Sequence, residues 1–204
     1  MQLNSAEQDK IKEVINIGVG QGLVAFTKMI DSQIDYEIPV IMIERVEDAS
    51  RRLEISNTTK SVVLLQMKSD GEGFMMLTFS PETASQIATK MTGEASNFSN
   101  LLEMDKSALR ELGNIVSGAS FTAFNRFLDI NVVQSPPDIA TDMYTSLVHS
   151  ILAEIGTLTD QILIIKVTFE IASFNSRGEF LFLFTPQATK NIIEATDRKL
   201  AGHE

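Results

Sequence analysis

Two short patterns in this sequence place a carboxylate and a carboxamide one helical turn apart. The first runs Asp9-x3-Glu13-x2-Asn16, and Pro39 follows after 22 intervening residues. The second runs Ser107-x3-Glu111-x2-Asn114, and Pro137 again follows after 22. One offset of 98 residues maps Glu13 onto Glu111, Asn16 onto Asn114 and Pro39 onto Pro137. In a helix, positions i, i+4 and i+7 share a face. Asp9, Glu13 and Asn16 therefore form one polar stripe, and Ser107, Glu111 and Asn114 form another. A carboxamide carries a donor and an acceptor in fixed geometry. It can hold a water in line with a phosphoryl group, as the Gln of small GTPases does. A carboxylate one turn away can pair with a cation on a partner and fix the docking angle. Positioning and electrostatics are most of what phosphoryl transfer asks of a protein. For a single copy, a solvated Glu/Asn face is the simpler reading. Two copies at identical spacing, each with the mediocre helix former Asn in mid-helix, favour a functional one.

The elements around these stripes repeat as well. Ile11, Ile15, Gly18 and Val19 lie away from the first stripe, and Leu109, Leu112, Ile115 and Val116 away from the second, so each helix can bury one side. Small residues follow: Gly18, Gly20 and Gly22 in one copy, Ser117, Gly118 and Ala119 in the other. Bulky apolar segments come next, Leu23 to Ile30 and Phe121 to Leu128. Val62 to Leu65 and Ile162 to Ile165 are short apolar runs that read as buried strands. Gly71 to Pro81 and Arg177 to Pro186 each read as a turn, a strand and a proline at the first turn of a helix. Helices are predicted over about 82–91 and 187–195. The offset here has grown to 105 residues, so the second half has gained a few. Each half thus reads helix, loop, strands, hairpin, helix, with residues 92–104 as a connector. The expected fold class is α+β: two homologous halves with pseudo-twofold symmetry, an antiparallel-rich sheet, and the motif helices packed on one side. The expected organisation is a single domain over 1–204, with internal repeats at about 7–91 and 105–195.

Composition narrows the chemistry. The 204 residues are 44% hydrophobic and 22% charged, ordinary for a globular protein. No segment approaches the run of about 20 apolar residues that spans a bilayer, and the N-terminal residues do not resemble a signal peptide. A cytoplasmic location without membrane insertion is expected. There are no cysteines, which removes disulfides and thiolate chemistry, and only two histidines, His149 and His203. A His-rich metal site or a Ser-His-Asp triad does not fit that count. The net charge of −10, without a compensating basic cluster, disfavours nucleic acid as a partner. Gly18-Val-Gly20-Gln-Gly22 follows a helix rather than a strand and lacks nucleotide-loop spacing, so close helix packing is the better reading. Ser117 and Ser120 have no histidine placed to activate them. Arg51, Arg52 and Arg110 read as solvated charges. Asp105, just before the second motif helix, reads as an N-terminal capping or dipole residue.

The full motif, [Asp/Ser]-x3-Glu-x2-Asn-x22-Pro, resembles that of the CheC/CheX/FliY phosphatases of bacterial chemotaxis. It is matched at Asp9, Glu13, Asn16 and Pro39, and again at Ser107, Glu111, Asn114 and Pro137. Two copies in a chain of about 200 residues look most like the CheC branch. The resemblance implies hydrolysis of the aspartyl phosphate of a CheY-like receiver in chemotaxis signalling. It implies that Asn16 and Asn114 orient the attacking water and that Glu13 and Glu111 contact the receiver's lysine. It implies no cofactor of the chain's own, the Mg2+ belonging to the receiver. CheD, a receptor-modifying deamidase, is a further partner that the resemblance raises. Family members commonly carry Gly directly before the Asn. Gly113 fits, whereas Ile15 departs, so the second motif is the closer match. Two other functions compete: a non-catalytic module that binds a phosphorylated receiver or CheD, and a structural piece of a flagellar switch, because the middle domain of FliM resembles this family in fold.

Overall fold

The computed structural model describes residues 2–53, 55–69 and 71–201, so His203 lies outside them. Its elements run α1 (Ser5–Ile30), β1 (Ile34–Tyr36), β2 (Val40–Arg45), α2 (Val46–Arg52), β3 (Thr59–Ser69), β4 (Gly71–Phe79) and α3 (Pro81–Thr92). The second half repeats that order. It contains α4 (Glu103–Leu128), β5 (Val133–Gln134), β6 (Asp138–Met143), α5 (Tyr144–Gly156), β7 (Gln161–Ile171), β8 (Ser176–Phe184) and α6 (Pro186–Ala201). A short 3-10 turn over Ala172–Phe174 separates β7 from β8 and adds three of the residues gained in the second half, the rest being gained before β7, where α5 is longer than α2.

One eight-stranded sheet runs through both halves in the order β1-β7-β8-β4-β3-β5, with β2 also on β7 and β6 also on β3. The pairings are antiparallel. Exchanging the two halves turns this order into itself read backwards. The strands β1 and β2 of the first half lie on β7 of the second, and β5 and β6 of the second lie on β3 of the first.

Period-2 alternation on the central strands feeds two cores. Phe180, Phe182 and Phe184 of β8 point to one face, Leu181 and Leu183 to the other. The first face is covered by α1, α3, α4 and α6, whose Val19, Phe26, Ile87, Leu112, Val116 and Ala195 are fully buried there. Phe26, Phe79 and Phe169 meet edge to face with centroids 5.9 to 6.0 Å apart. The other face is covered by α2 and α5. Neither of these helices is in the sequence reading, although Tyr144, Val148, Ile151, Leu152 and Ile155 are buried at helical spacing. Both motif helices do lie on one side of the sheet. One inward assignment is corrected: Ile115 is 38% exposed, because the turn that buries Leu112 and Val116 against the sheet carries it outward with Asn114.

The motif helices are each 26 residues long and stop in the same way. Asp31 and Asp129 adopt left-handed backbone at their C-caps, φ 48° and 54°, one repeat offset apart. Asn4 and Glu7 form a reciprocal capping box at the start of α1, with bonds of 2.8 and 3.0 Å. The Asp105 carboxylate accepts the Leu102 N–H at 2.8 Å, so it serves the helix start from within the first turn of α4 and not from just before the helix, as the sequence suggests.

The two long helices cross where side chains are missing. A Cβ on Gly18 would enter the ring of Phe124. One on Gly22 would meet Ser120 Oγ and lie 3.0 Å from the Val116 carbonyl oxygen. Because the α4 partner falls from Phe124 to Ser120 as α1 advances from Gly18 to Gly22, the helices run antiparallel. Gly18→Ala and Gly22→Ala are each expected to cost about 1–3 kcal/mol by overpacking. Gly118→Ala, whose Cβ would meet open space, should instead gain up to ~1 kcal/mol of helix propensity. Urea unfolding of the three variants checks this contrast.

Candidate active site

The C-terminal half of α4 leads to a return loop that brings the chain back beside the helix's N-terminal half. Asn125 clamps this loop: its Oδ1 accepts the Val132 N–H at 2.8 Å, and its Nδ2 donates to the Val132 carbonyl at 3.2 Å. The chain then pairs with β3 at Val133 and Gln134. Ser135 holds the next step, its N–H donating to the Gln66 carbonyl at 2.9 Å while its Oγ accepts the Gln66 N–H at 3.0 Å. Pro137 arrives beside α4 at Gly113, where an added Cβ would lie 3.4 Å from its own. The 22-residue interval between Asn and Pro thus spans the rest of the helix, the turn and the return. The proline's fixed φ shapes the wall at the point of closest approach.

These segments enclose an open groove of about 850 Å³. Ser107, Arg110, Glu111 and Asn114 of α4 form one side, Gln134 to Pro137 the other, and Met91 and Met104 an end. All four residues of the second motif therefore meet at one place. Ser107, Glu111 and Asn114 are exposed, and Pro137 is half-buried. The Asn114 carbonyl oxygen on its side chain accepts a hydrogen bond from Gln134 Nε2 at 3.2 Å. Its main-chain carbonyl takes the Ser117 hydroxyl at 3.3 Å, which gives that buried serine a structural task.

The first motif is placed differently. Asp9, Glu13 and Asn16 share the exposed face of α1, and Pro39 is buried at the entry to β2. Asp9 pairs with Lys12 at 3.7 Å, a solvated contact of little energetic weight. Among the described residues no side chain bonds Glu13 or Asn16. Ile15, in the position of Gly113, is buried in the core beneath α1. The antiparallel crossing separates the two stripes. Counted from the Gly18–Phe124 and Gly22–Ser120 levels, Asn16 and Asn114 stand roughly 18 Å apart along the helix axes.

Two groove residues escaped the sequence reading. Gln134 gives no repeat signal because the same offset finds Tyr36. Arg110 lines the groove instead of standing as a solvated charge, and the signal for it in the sequence is its basic repeat counterpart, Lys12. The groove can offer a carboxamide, a carboxylate and a guanidinium within one helical turn. That set is suited to docking and orienting a phosphorylated, cation-bearing group. Among the described residues, no three Asp, Glu or His side chains gather to hold a metal, and no helix is long and apolar enough to cross a membrane.

Comparison with known proteins finds similar sequences and folds. The family described as chemotaxis phosphatase CheX matches residues 61–151, a span that contains the whole second motif and none of the first. The CheY-P phosphatase CheC of Bacillus subtilis (strain 168) is 24% identical over 169 residues, 81% of each chain. The crystal structure of Thermotoga maritima FliY shares the fold at TM-score 0.74 and 20% identity, covering 98% of this chain and 100% of that one. The FliM middle domain from H. pylori does so at TM-score 0.66 and 10% identity, covering 95% and 99%.

The close approach at Gly113 is open to test. Its Cβ would enter Val63 Cγ1 on β3. Gly113→Ala should cost about 1–3 kcal/mol. Val63→Ala in that background should restore part of the loss, which a double-mutant cycle by chemical denaturation would reveal.

Proposed function

We propose, from the match of residues 61–151 to the chemotaxis phosphatase CheX family and the 24% identity to a CheY-P phosphatase CheC, that the chain hydrolyses the aspartyl phosphate of a CheY-like receiver. The observation that carries this reading is the pairing of exposed Glu111 and Asn114 at one open groove. A receiver's phosphorylated face docks against the exposed stripe of α4. Glu111 meets the receiver's lysine, a charge-assisted contact that fixes the angle of approach. The Asn114 carboxamide then enters the receiver's site, its amide N–H groups toward the phosphoryl oxygens and its carbonyl oxygen accepting from a water. That water is held in line with the phosphorus–aspartate bond. Attack forms the water oxygen–phosphorus bond and breaks the bond to the aspartate. The receiver's carboxylate is regenerated, and the water's proton leaves with inorganic phosphate. The Mg2+ that neutralises the developing charge is the receiver's own.

Asn16 and Glu13 repeat these roles on α1 without a bonded neighbour to orient them. The antiparallel crossing directs the two sites to opposite ends of the helix pair. The reaction places the chain in the cytoplasm with its substrate.

With a receiver phosphorylated by a small-molecule donor in Mg2+, substoichiometric amounts of the protein should accelerate phosphate release. Asn114→Ala is expected to lower kcat on the order of tenfold to a hundredfold, and Asn16→Ala to lower it less. The double variant should leave only the receiver's own rate while its melting temperature stays near that of the parent. Receiver binding without any acceleration would instead support a module that sequesters a phosphorylated receiver, and CheD binding would be measured next.

A further inference from the structure

We propose that Gln134 is a positioning residue of the second site, which holds the Asn114 carboxamide in the orientation that hydrolysis needs; this rests on the phosphatase reading above. Gln134 Nε2 donates to Asn114 Oδ1 at 3.2 Å, a side chain on a strand reaching one on a helix. The strand end is firmly held. Gln134 pairs with Met67 of β3, Ser135 bonds Gln66 twice, and Asn125 ties Val132 to α4. Asn114 itself is exposed, and an exposed Asn samples several rotamers unless a partner selects one. A carbonyl oxygen has two lone pairs. Gln134 takes one and leaves the second for a water, while both amide hydrogens of Asn114 stay unspent.

Two further observations point the same way. Gln134 Oε1 is buried with no hydrogen-bond partner. A buried, unsatisfied acceptor is a cost to stability, so the amide is not explained by the fold alone. The repeat supplies an internal control. The offset of 98 residues puts Tyr36 where Gln134 stands. Tyr36 is 42% exposed, and its hydroxyl reaches the level of Gly20, one turn beyond Asn16. The second site is thus pre-organised and the first is not.

The test uses the full chain with Asn16→Ala, so that turnover reports the second site only. Gln134→Leu keeps the volume and removes the donor. Gln134→Glu keeps the shape but presents an acceptor to Asn114 Oδ1. Both should lower kcat roughly five- to tenfold and leave KM for the phosphorylated receiver unchanged, with no fall in melting temperature for Gln134→Leu. In parallel, 15N relaxation of the Asn114 side-chain amide should show greater motion in Gln134→Leu. An unchanged kcat, a loss confined to KM, or an amide as ordered as in the parent would overturn the proposal. If the Asn16→Ala parent does not raise phosphate release above the receiver's own rate, the phosphatase reading of the second site falls, and the relaxation data alone decide whether Gln134 orders Asn114.

Discussion

Gly18 and Gly22 let α1 and α4 approach to a distance that a side chain on either would prevent. Phe124 fills the space over Gly18, and the backbone of Val116 comes to where a Cβ of Gly22 would press on it. This contact sets the antiparallel crossing, and the crossing decides which face of each helix stays free. With Ile11, Ile15 and Val19 turned to the sheet on one helix, and Leu109, Leu112 and Val116 on the other, Glu13, Asn16, Glu111 and Asn114 are left in solvent. The exposed carboxamides are therefore a by-product of tight packing elsewhere. Helix propensity alone would not keep an Asn at these positions.

Much of this was legible in the sequence because it is written twice. The repeat exposed the motif, the strands over Val62 to Leu65 and Ile162 to Ile165, and the helices that begin at Pro81 and Pro186. The elements that escaped are short or ambiguous in period. The seven residues of α2 are too few to declare a helix. The Tyr144 to Gly156 segment of α5 does carry a helical stripe, but it follows a strand directly and has no side-chain cap to announce its start. Ile115 was misplaced for a different reason. Spacing gives an angle around the helix, and only the neighbours decide how wide the buried arc is. Gln134 could not be found from the repeat, since its value lies in a contact that one half makes and the other does not.

The two halves have accordingly diverged where function is most sensitive to geometry. Gly113 lets α4 lie against Val63 and Pro137, while Ile15 places a bulky side chain in the core at the matching point of α1. The return loop of α4 is clamped by Asn125, whereas the matching position on α1 is Thr27. The 3-10 turn over Ala172–Phe174 adds a further difference: Ser32 Oγ accepts the Ser173 N–H at 3.1 Å and ties the end of α1 to the second half. A duplicated architecture thus carries one open groove with a wall beside α4 and one bare stripe on α1.

The exchange of edge strands has a consequence for how the chain comes to be folded. The wall of the second site, Gln134 to Pro137, is docked on β3, which belongs to the first half, and Pro39 leads into β2, which is docked on β7 of the second. Neither half owns a complete site wall. A nascent first half emerging from the ribosome has no β7 to receive β1 and β2, and their backbone groups stay unpaired until synthesis is nearly finished. Assembly must close loops of well over a hundred residues, as the pairing of Val40 with Lys166 requires, which places this fold among the slower, topology-limited folders. Each half acts as a template for the other, and a nick or truncation in one would unmake the site of its twin.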